Sequence, residues 1–420
     1  GVQDGRVAAI GHLGAADADQ MLEAKGQHVL PGVIDSQVHF REPGNEHKED
    51  LESGTRAAVL GGVTAIFEMP NTNPSTTTGK ALEDKIDRAT GRAWCDFAFF
   101  VGAAKENINR LAGLEQLPCC CGIKIFMGSS TGNLLVRDKR LLREVLKRGR
   151  RRIAVHAEDE DRLEQRFEFA RDGKQPYCHP LWRDEQTAIL ATQKILELVR
   201  ETGRRIHLLH VTTRQEMALL AEHKDLVTVE VTPQHLTLAA PDAYDRLGSL
   251  AQMNPPIRDE KHRDGLWQAL ADGVVDVIGS DHAPHTLEEK GRPYPESPSG
   301  MPGVQTLVPL MLDHVNEGRL TLERFVDLTS AGPARIYNVA RKGRIALGYD
   351  GDFTVVDLKA KKTITSSMMA SKCGWTPFDG MKVTGWPTAT VIRGNIVMRD
   401  GEAQGTQIGQ PVRFHDTGGG

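Results

Sequence analysis

Residues 31–44, PGVIDSQVHFREPG, place three polar side chains on one face of a predicted strand. A short apolar run leads into alternating residues and then a Pro-Gly turn, which is typical of a buried strand that ends in a loop. Side chains alternate between the two faces of a strand, so Gln37, His39 and Arg41 are expected to point the same way. Buried polar groups need partners. We therefore predict a metal ion or an anionic ligand beside this strand.

Five other predicted strands carry residues of the same chemical types at or near their carboxyl ends. These residues are Asn71 in MPNTNP, Lys124 in GIKIFMG, His156 in VHAED, His210 in HLLHVTT, and Asp281 and His285 in SDHAPH. A single histidine on a strand is more often a hydrogen-bonded core residue than a ligand. Repetition at the same end of six strands instead favours one shared metal site.

Lys124 lies in an apolar strand, where an ammonium ion is costly. A lowered pKa would let the neutral amine react with carbon dioxide to give a carbamate, an anion that can bridge two metal ions. The alternative is an ion pair with a carboxylate, and the residues alone leave both open. Asp281 also has two possible roles. It is either a metal ligand that accepts a proton from water, or the N-cap of a helix. His282 is predicted to face away.

Eight β-like stretches alternate with helical patterns from residue 33 onwards. The predicted strands are 33–40, 63–69, 96–102, 122–127, 153–157, 206–210, 227–232 and 274–279. The predicted helices include 52–60, 80–89, 139–147, 184–200, 214–222, 263–271, 306–316, 322–329 and 333–337. This alternation predicts the α/β class and a (β/α)8 TIM barrel, whose functional residues lie at the carboxyl ends of the strands.

On both sides of the predicted barrel, the alternation of strands and helices gives way to short strand patterns. Residues 1–30 and 340–420 contain short β-like pieces separated by turn residues, so we expect them to form a small β-sandwich around a barrel of residues 31–339. Residues 389–398 are predicted to be a hairpin with Gly394-Asn395 at its turn. The tail, residues 415–420, is predicted to be disordered.

Composition excludes several classes of function. The 420 residues carry a net charge of −4, which gives no electrostatic case for nucleic acid or an anionic membrane surface. No apolar run approaches the length of a membrane span. The adjacent Cys119, Cys120 and Cys121 lack metal-site spacing and are predicted to be small buried hydrophobes. A reduced, cytoplasmic enzyme is expected.

The motifs HFREPG, MPNTNP, GIKIFMG, VHAED, LLHVTT, NPPIR, SDHAPH and SGMPG, in this order, resemble those of the class I dihydroorotases of the amidohydrolase superfamily. The resemblance runs from about Leu30 through SKCGWTPFDG and the hairpin that follows. It implies the reversible cyclisation of N-carbamoyl-L-aspartate to L-dihydroorotate, a step of pyrimidine synthesis.

The resemblance also implies roles for individual residues. The implied zinc ligands are His39, Lys124 as its carbamate, His156, His210 and Asp281. The implied substrate contacts are Arg41, Asn71 and His285 on the carboxylate, with Asn254, Pro302 and Gly303 beside the ring. In ring opening, Asp281 would take the proton of the attacking water and return it to the leaving nitrogen.

Gln37 departs from the family pattern, which has histidine at this position. An amide oxygen is a weaker zinc ligand than imidazole. We therefore expect one firmly held zinc, at Lys124, His156 and His210, and a second that is labile.

Two rival functions remain at this point. A hydantoinase or allantoinase would share the barrel and the metals, but such enzymes need no cation like Arg41 for a substrate carboxylate. A non-catalytic dihydroorotase-like subunit of an aspartate carbamoyltransferase complex would have lost metal ligands, and Gln37 would then be the first loss. We expect a homodimer by base rate, and an association with aspartate carbamoyltransferase is a further possibility.

Overall fold

A computed structural model describes residues 1–14, 18–130 and 134–415. The strands of this part of the chain are, in order, β1 Val2–Gln3, β2 Arg6–Val7, β3 His28–Pro31, β4 Val33–Val38, β5 Val63–Glu68, β6 Asp96–Gly102, β7 Cys120–Phe126, β8 Ile153–His156, β9 Ile206–Leu208, β10 Val227–Val231, β11 Val277–Ile278, β12 Phe353–Thr363, β13 Lys382–Ile392, β14 Asn395–Arg399 and β15 Glu402–Ala403.

The α-helices of the same residues vary widely in length. They are α1 Leu51–Leu60, α2 Gly79–Ala89, α3 Leu111–Leu114, α4 Lys139–Leu146, α5 Glu160–Gly173, α6 His179–Trp182, α7 Glu185–Thr202, α8 Arg214–Ala221, α9 Pro233–Thr237, α10 Asp242–Leu247, α11 Glu260–Ala271, α12 Leu287–Lys290, α13 Leu307–Asn316, α14 Leu322–Val326 and α15 Gly332–Ile336. The nine predicted helices are all present, although a π-helical turn, Asp327–Ala331, separates α14 from α15.

Strands β4 to β11 form one parallel sheet in sequence order. The sheet closes on itself, because Val38 pairs in parallel with His282 and the His39 amide donates to the His282 carbonyl at 2.7 Å. The predicted (β/α)8 barrel is confirmed. Its last strand is shorter than predicted, since only Val277–Ile278 pairs with β10.

Polar side chains set where the helices around the barrel begin. Asp50 accepts from the Ser53 amide at the start of α1, and Thr213 and Glu216 form a capping box at the start of α8. Each cap satisfies backbone donors that the helix itself leaves unpaired. The loops that precede these helices follow the carboxyl ends of strands, so the caps also fix the position of those loops.

A second, antiparallel sheet has the order β15-β14-β13-β12-β3 and takes strands from both ends of the chain. The predicted pairing of N-terminal with C-terminal strands is thereby confirmed, whereas the domain boundaries at residues 31 and 339 stay predictions. The turn between β13 and β14 is Arg393-Gly394 and not Gly394-Asn395. Both residues have positive φ, +48° and +80°, as a two-residue hairpin turn requires.

The apolar core fills the space between the barrel strands and the surrounding helices. All six cysteines are free and buried, as predicted for the adjacent three. A separate cluster joins Trp375 and Phe378 of the C-terminal segment to Met253 and Met301. Among the described residues, no helix is both long and apolar enough to cross a membrane. Residues 416–420 of the predicted disordered tail lie outside the described part.

Candidate active site

The barrel brings nearly all the predicted ligand residues to one narrow cavity at the carboxyl ends of its strands. Gln37 lies on β4, Lys124 on β7 and His156 at the end of β8, while the other residues follow their strands directly or in the next loop. The predicted residues that line the cavity are Gln37, His39, Arg41, Asn71, Lys124, His156, His210, Asn254 and Asp281.

Lys124 is buried, and among the described residues its Nζ has no hydrogen-bond partner. Burial lowers the pKa of Lys124 to about 7, although the carboxylates of Asp281 and Glu230 oppose the shift. The Phe126 ring lies 4.6 Å from the nitrogen. A substantial fraction of this amine is therefore neutral, and thus nucleophilic, near neutral pH.

The rings of His156 and His210 approach each other with Nδ1 and Nε2 only 3.1 Å apart. Two nitrogens bound to one tetrahedral zinc, at about 2.0–2.1 Å each, lie about 3.3 Å apart. Burial lowers the pKa of both histidines, so both are neutral and can offer lone pairs. Together with the unpartnered Lys124 nitrogen, the two rings form a donor set that suits a zinc ion.

Glu158 and Arg183 fix the orientation of His156. The Nε2 of His156 lies 3.0 Å from Glu158, which forms an ion pair with Arg183 at 2.5 Å. Burial raises the pKa of Glu158, but the Arg183 charge and the His156 contact outweigh it, and the pKa falls below its ordinary value. The carboxylate is therefore ionised and favours the proton on the nearby Nε2, which leaves the lone pair on Nδ1, the nitrogen nearest His210.

His39, Gln37 and Asp281 meet on the other side of the cavity. The Nδ1 of His39 donates to Asn71 at 2.8 Å, and its Nε2 lies 3.2 Å from Asp281 Oδ1. Burial lowers the pKa of His39, which disfavours a second proton on Nε2. A lone pair thus faces a carboxylate oxygen, an arrangement that a cation between them would stabilise. These residues also fit a metal ion.

Gln37 contacts Asp281 as a hydrogen-bond donor. Its Nε2 lies 3.0 Å from Asp281 Oδ1, while its Oε1 is buried and has no hydrogen-bond partner among the described residues. The amide therefore compensates part of the Asp281 charge. Since its nitrogen occupies the side of Asp281 that a ligand histidine would share, Gln37 adds at most one weak oxygen donor to this site.

Arg41 is a buried cation that no carboxylate of the described residues approaches within 4.0 Å. Its Nε donates to the Pro284 carbonyl at 3.1 Å, and one terminal nitrogen lies 3.2 Å from His285 Nε2. Burial lowers the pKa of Arg41 to about 10, so it stays charged at neutral pH. An uncompensated buried guanidinium is a strong indication of an anionic ligand.

Three residues of the cavity wall have left-handed backbone conformations. The φ angles of Arg41, His210 and Asp281 are +66°, +38° and +45°. Such angles are uncommon for residues other than glycine, and they cluster at functional sites. At each position the chain has just left a strand, and this conformation turns a functional side chain into the cavity.

Three predicted substrate residues lie behind the cavity wall. His285 lies behind Arg41 and contacts the Ser299 carbonyl at 3.1 Å. Pro302 and Gly303 border a different, smaller space beside His282, and the wall itself is formed by Ser299 and Gly300. The loop after β11 therefore presents the first two residues of SGMPG to the cavity, three positions before the expected pair.

His282 points away from the cavity, as the sequence predicts. Its Nδ1 accepts from the Gly303 amide at 3.0 Å, and its Nε2 lies 3.3 Å from Glu49. Glu158 and Arg183 are not among the residues predicted from the sequence. Glu158 carried a usable signal, because it stands two residues after His156 in VHAED.

A cluster of three carboxylates lies at the opposite end of the barrel. Asp96 begins β6, and ligand atoms of Asp96, Asp350 and Asp352 lie within 4.8 Å of one another. Lys342 Nζ lies among them, 2.6 Å from Asp96 and 3.2 Å from Asp350, and Arg393 also pairs with Asp96. These cations already balance the cluster, so we assign no metal to it.

Comparison with known proteins agrees with this architecture. A model of the Amidohydrolase family matches residues 28–397. A dihydroorotase of Halobacterium salinarum is 37% identical over 97% of this chain and 94% of its own. A dihydroorotase of Methanothermobacter thermautotrophicus is 35% identical over 96% of this chain and 91% of its own.

Solved structures that share this fold include a hydantoinase and a dihydropyrimidinase. An L-hydantoinase (dihydropyrimidinase) from Arthrobacter aurescens superposes with a TM-score of 0.92 at 30% identity, covering 98% of this chain and 94% of its own. A dihydropyrimidinase from Brevibacillus agri gives 0.91 at 27% identity, covering 99% and 95%. The chain therefore belongs to the amidohydrolase family, alongside the dihydroorotases that match it over nearly its whole length.

Proposed function

We propose that this chain is a zinc-dependent dihydroorotase that interconverts N-carbamoyl-L-aspartate and L-dihydroorotate. The observation that carries the proposal is Arg41, a buried guanidinium without a carboxylate partner that opens onto the same cavity as the histidines. Its planar fork matches a substrate carboxylate. Both proposed reactants carry a carboxylate that the reaction leaves unchanged, on the carbon two bonds from the reacting carbonyl carbon, whereas hydantoin and allantoin carry none.

The donor sets described above name the residues that would hold the metal ions. Lys124, His156 and His210 would hold the firm zinc, and His39 and Asp281 the labile one. Bound zinc supplies a Lewis acid that polarises the reacting carbonyl and makes water a usable nucleophile near neutral pH. We infer that the neutral amine of Lys124 would attack carbon dioxide, which would form a nitrogen–carbon bond, release one proton and give a carbamate, an anionic oxygen ligand for a metal ion.

Side chains of the cavity would bind the substrate and transfer the proton. Arg41 and Asn71 would hold the substrate carboxylate, and Asn254 would border the ring. In ring opening, the Asp281 carboxylate would accept the proton of the attacking water and pass it to the ring nitrogen as the amide bond breaks. Ring closure would use the same groups in reverse.

The proposal can be tested by assaying zinc-supplied protein for turnover of dihydroorotate, N-carbamoyl-L-aspartate, hydantoin and allantoin. The proposal predicts turnover of the first two substrates and little or none of the others. Preference for hydantoin or allantoin would replace the proposal with the rival hydrolase. Absence of all four activities in folded, zinc-loaded protein would favour the non-catalytic subunit.

From the size of the chain and its family, we also propose that the protein is a homodimer in the cytoplasm. We further propose that it associates with aspartate carbamoyltransferase. Sedimentation of the purified chain, alone and with aspartate carbamoyltransferase, tests the dimer and the association.

A further inference from the structure

Lys48, which the family motifs did not single out, contacts the imidazole behind Arg41. Its Nζ lies 3.2 Å from His285 Nδ1 and 3.0 Å from Glu289 Oε1. The second ring nitrogen of His285, Nε2, lies 3.1 Å from the Ser299 carbonyl and 3.2 Å from Arg41. His285 is thus surrounded by two cationic donors, one carbonyl acceptor and, further away, the Glu289 carboxylate, whose Oε2 lies 3.6 Å from Nδ1.

Either neutral form of His285 leaves one ring N–H facing a cation, but the form with the proton on Nε2 makes two hydrogen bonds at 3.1–3.2 Å. An ammonium group can donate but cannot accept, so in this form Nδ1 offers its lone pair to Lys48. The ring proton is then on Nε2, where it donates to the Ser299 carbonyl. With the proton on Nδ1 instead, two donors would face each other at 3.2 Å and the carbonyl would lose its donor.

Which nitrogen of His285 carries the proton also determines how many Arg41 donors are available to a ligand. When Nε2 carries the proton, it cannot accept from the guanidinium, and that nitrogen of Arg41 remains available to a ligand. When Nε2 carries the lone pair, it accepts from Arg41 and draws a donor away from the cavity. The Ser299 backbone, which forms part of the wall, is released at the same time.

We propose that Lys48 is a positioning residue that fixes the proton of His285 on Nε2. Through that proton it holds Ser299 in the wall and keeps the Arg41 fork available for the substrate carboxylate. The substrate part of this inference rests on the proposed function, whereas the position of the proton does not.

The charges around the ring give the proposal a pH signature. Burial lowers the pKa of His285 to about 3, aided by the charges of Arg41 and Lys48 and opposed by Glu289. Lys290 also lowers this pKa, and His47 lies behind Glu289. Replacing Lys48 by methionine removes a cation, while Glu289 Oε2 remains 3.6 Å from Nδ1. The pKa of His285 therefore rises in the variant.

Lys48→Met should bind substrate less well in a pH-dependent way. At high pH the neutral ring places its proton on Nδ1, toward Glu289, and the KM for dihydroorotate rises about tenfold, the equivalent of one hydrogen bond. At low pH the imidazolium carries both protons, so the ratio of variant KM to wild-type KM falls toward one. The kcat changes little. Lys48→Arg, which retains a donor, should behave like wild type.

Lys372→Met is the matched control, because Lys372 pairs with Asp50 at 2.5 Å on the same rim and has no contact with His285 among the described residues. It should leave KM unchanged at every pH. A KM ratio for Lys48→Met that is constant with pH would indicate a structural role and overturn the proposal. An unchanged KM in Lys48→Met would also overturn the proposal.

Histidine-selective ¹⁵N NMR tests the proton position independently of activity. The signal of His285, assigned by its loss in His285→Gln, should show Nε2 protonated in wild type and Nδ1 protonated in Lys48→Met at high pH. Wild type with the proton on Nδ1 would overturn the proposal even if dihydroorotate is the substrate. If the NMR result holds but dihydroorotate is not turned over, the proposed function fails and the proton assignment stands.

Discussion

The side-chain amide of Gln37 donates to Oδ1 of Asp281 across 3.0 Å, at the position where the family pattern has a histidine. The same oxygen lies 3.2 Å from His39 Nε2. One carboxylate oxygen thus receives a neutral donor on one side and a ligand nitrogen on the other. The amide stabilises Asp281 without supplying the imidazole nitrogen that a second tightly held zinc requires.

Gln37→His should convert the proposed labile zinc site into a firm one. Protein purified without added zinc and treated with a mild chelator is expected to retain about one zinc per chain in wild type and about two in the variant, because imidazole is the stronger ligand. Elemental analysis measures the ratio. Gln20→His, at an exposed position, should retain the wild-type value. Two chelator-resistant zincs in wild type would contradict the prediction.

Arg41→Lys should weaken the binding of dihydroorotate by about 10- to 100-fold in KM, since an ammonium group cannot reproduce the bidentate fork. Arg41→Ala should lose more, because it removes the charge as well. Both variants would keep the left-handed φ of +66° that Arg41 itself adopts, and circular dichroism checks that both are folded. Competitive inhibition by small dicarboxylates should weaken in parallel. Arg41→Ala with unchanged KM would remove the main support for an acidic substrate.

The barrel could be predicted because each strand is a short apolar run that ends in a polar motif. This pattern places His156 and His210 correctly at the ends of their strands. It does not reveal that nitrogens of the two rings lie 3.1 Å apart. Glu158 stands in the VHAED motif, but its role depends on an ion pair with Arg183, 25 positions further along the chain, and Arg183 carries no distinctive motif. Pairing of this kind depends on tertiary structure alone.

Two further differences between sequence and structure have physical causes. Helix α5 was not singled out, because only Glu160, Leu163 and Ala170 are buried and the apolar stripe is correspondingly thin. The loop after β11 was predicted to present Pro302 and Gly303 to the substrate. Its path is set by contacts such as those of Lys290, which donates to the carbonyls of Pro298 and Gly300 in the same loop and of the distant Gln252. The sequence pattern does not encode these contacts.

Glu158→Gln should weaken the firm zinc site by about 10- to 100-fold, as expected when the partner of a metal-binding histidine is lost. The variant leaves the Arg183 charge unpaired and replaces the ionised acceptor beside His156 Nε2 with a neutral, weaker one. Chelator competition measures the zinc dissociation constant. Glu164→Gln, which breaks an exposed ion pair with Arg137, is the control and should bind zinc normally. Unchanged zinc affinity in Glu158→Gln would exclude this role.

Asp35→Asn should change how stability depends on pH. Asp35 is buried on β4, where its Oδ1 accepts from the Ser280 amide at 3.0 Å and its Oδ2 has no hydrogen-bond partner among the described residues. Burial raises the pKa of Asp35 to about 7, against the opposing effect of its hydrogen bonds with Ser280. The folded protein therefore binds this proton more tightly than the unfolded chain does.

Because the folded state holds the extra proton, wild type should lose stability as the pH rises from about 4 to about 7. The loss is on the order of 2–4 kcal/mol, and Asp35→Asn should not show it, since the amide does not titrate. Denaturant unfolding with a chelator present measures the difference at pH 5 and pH 8. Asp19→Asn, at an exposed position, should follow wild type. A variant whose stability falls as steeply as that of wild type would show that Asp35 is ionised throughout this range.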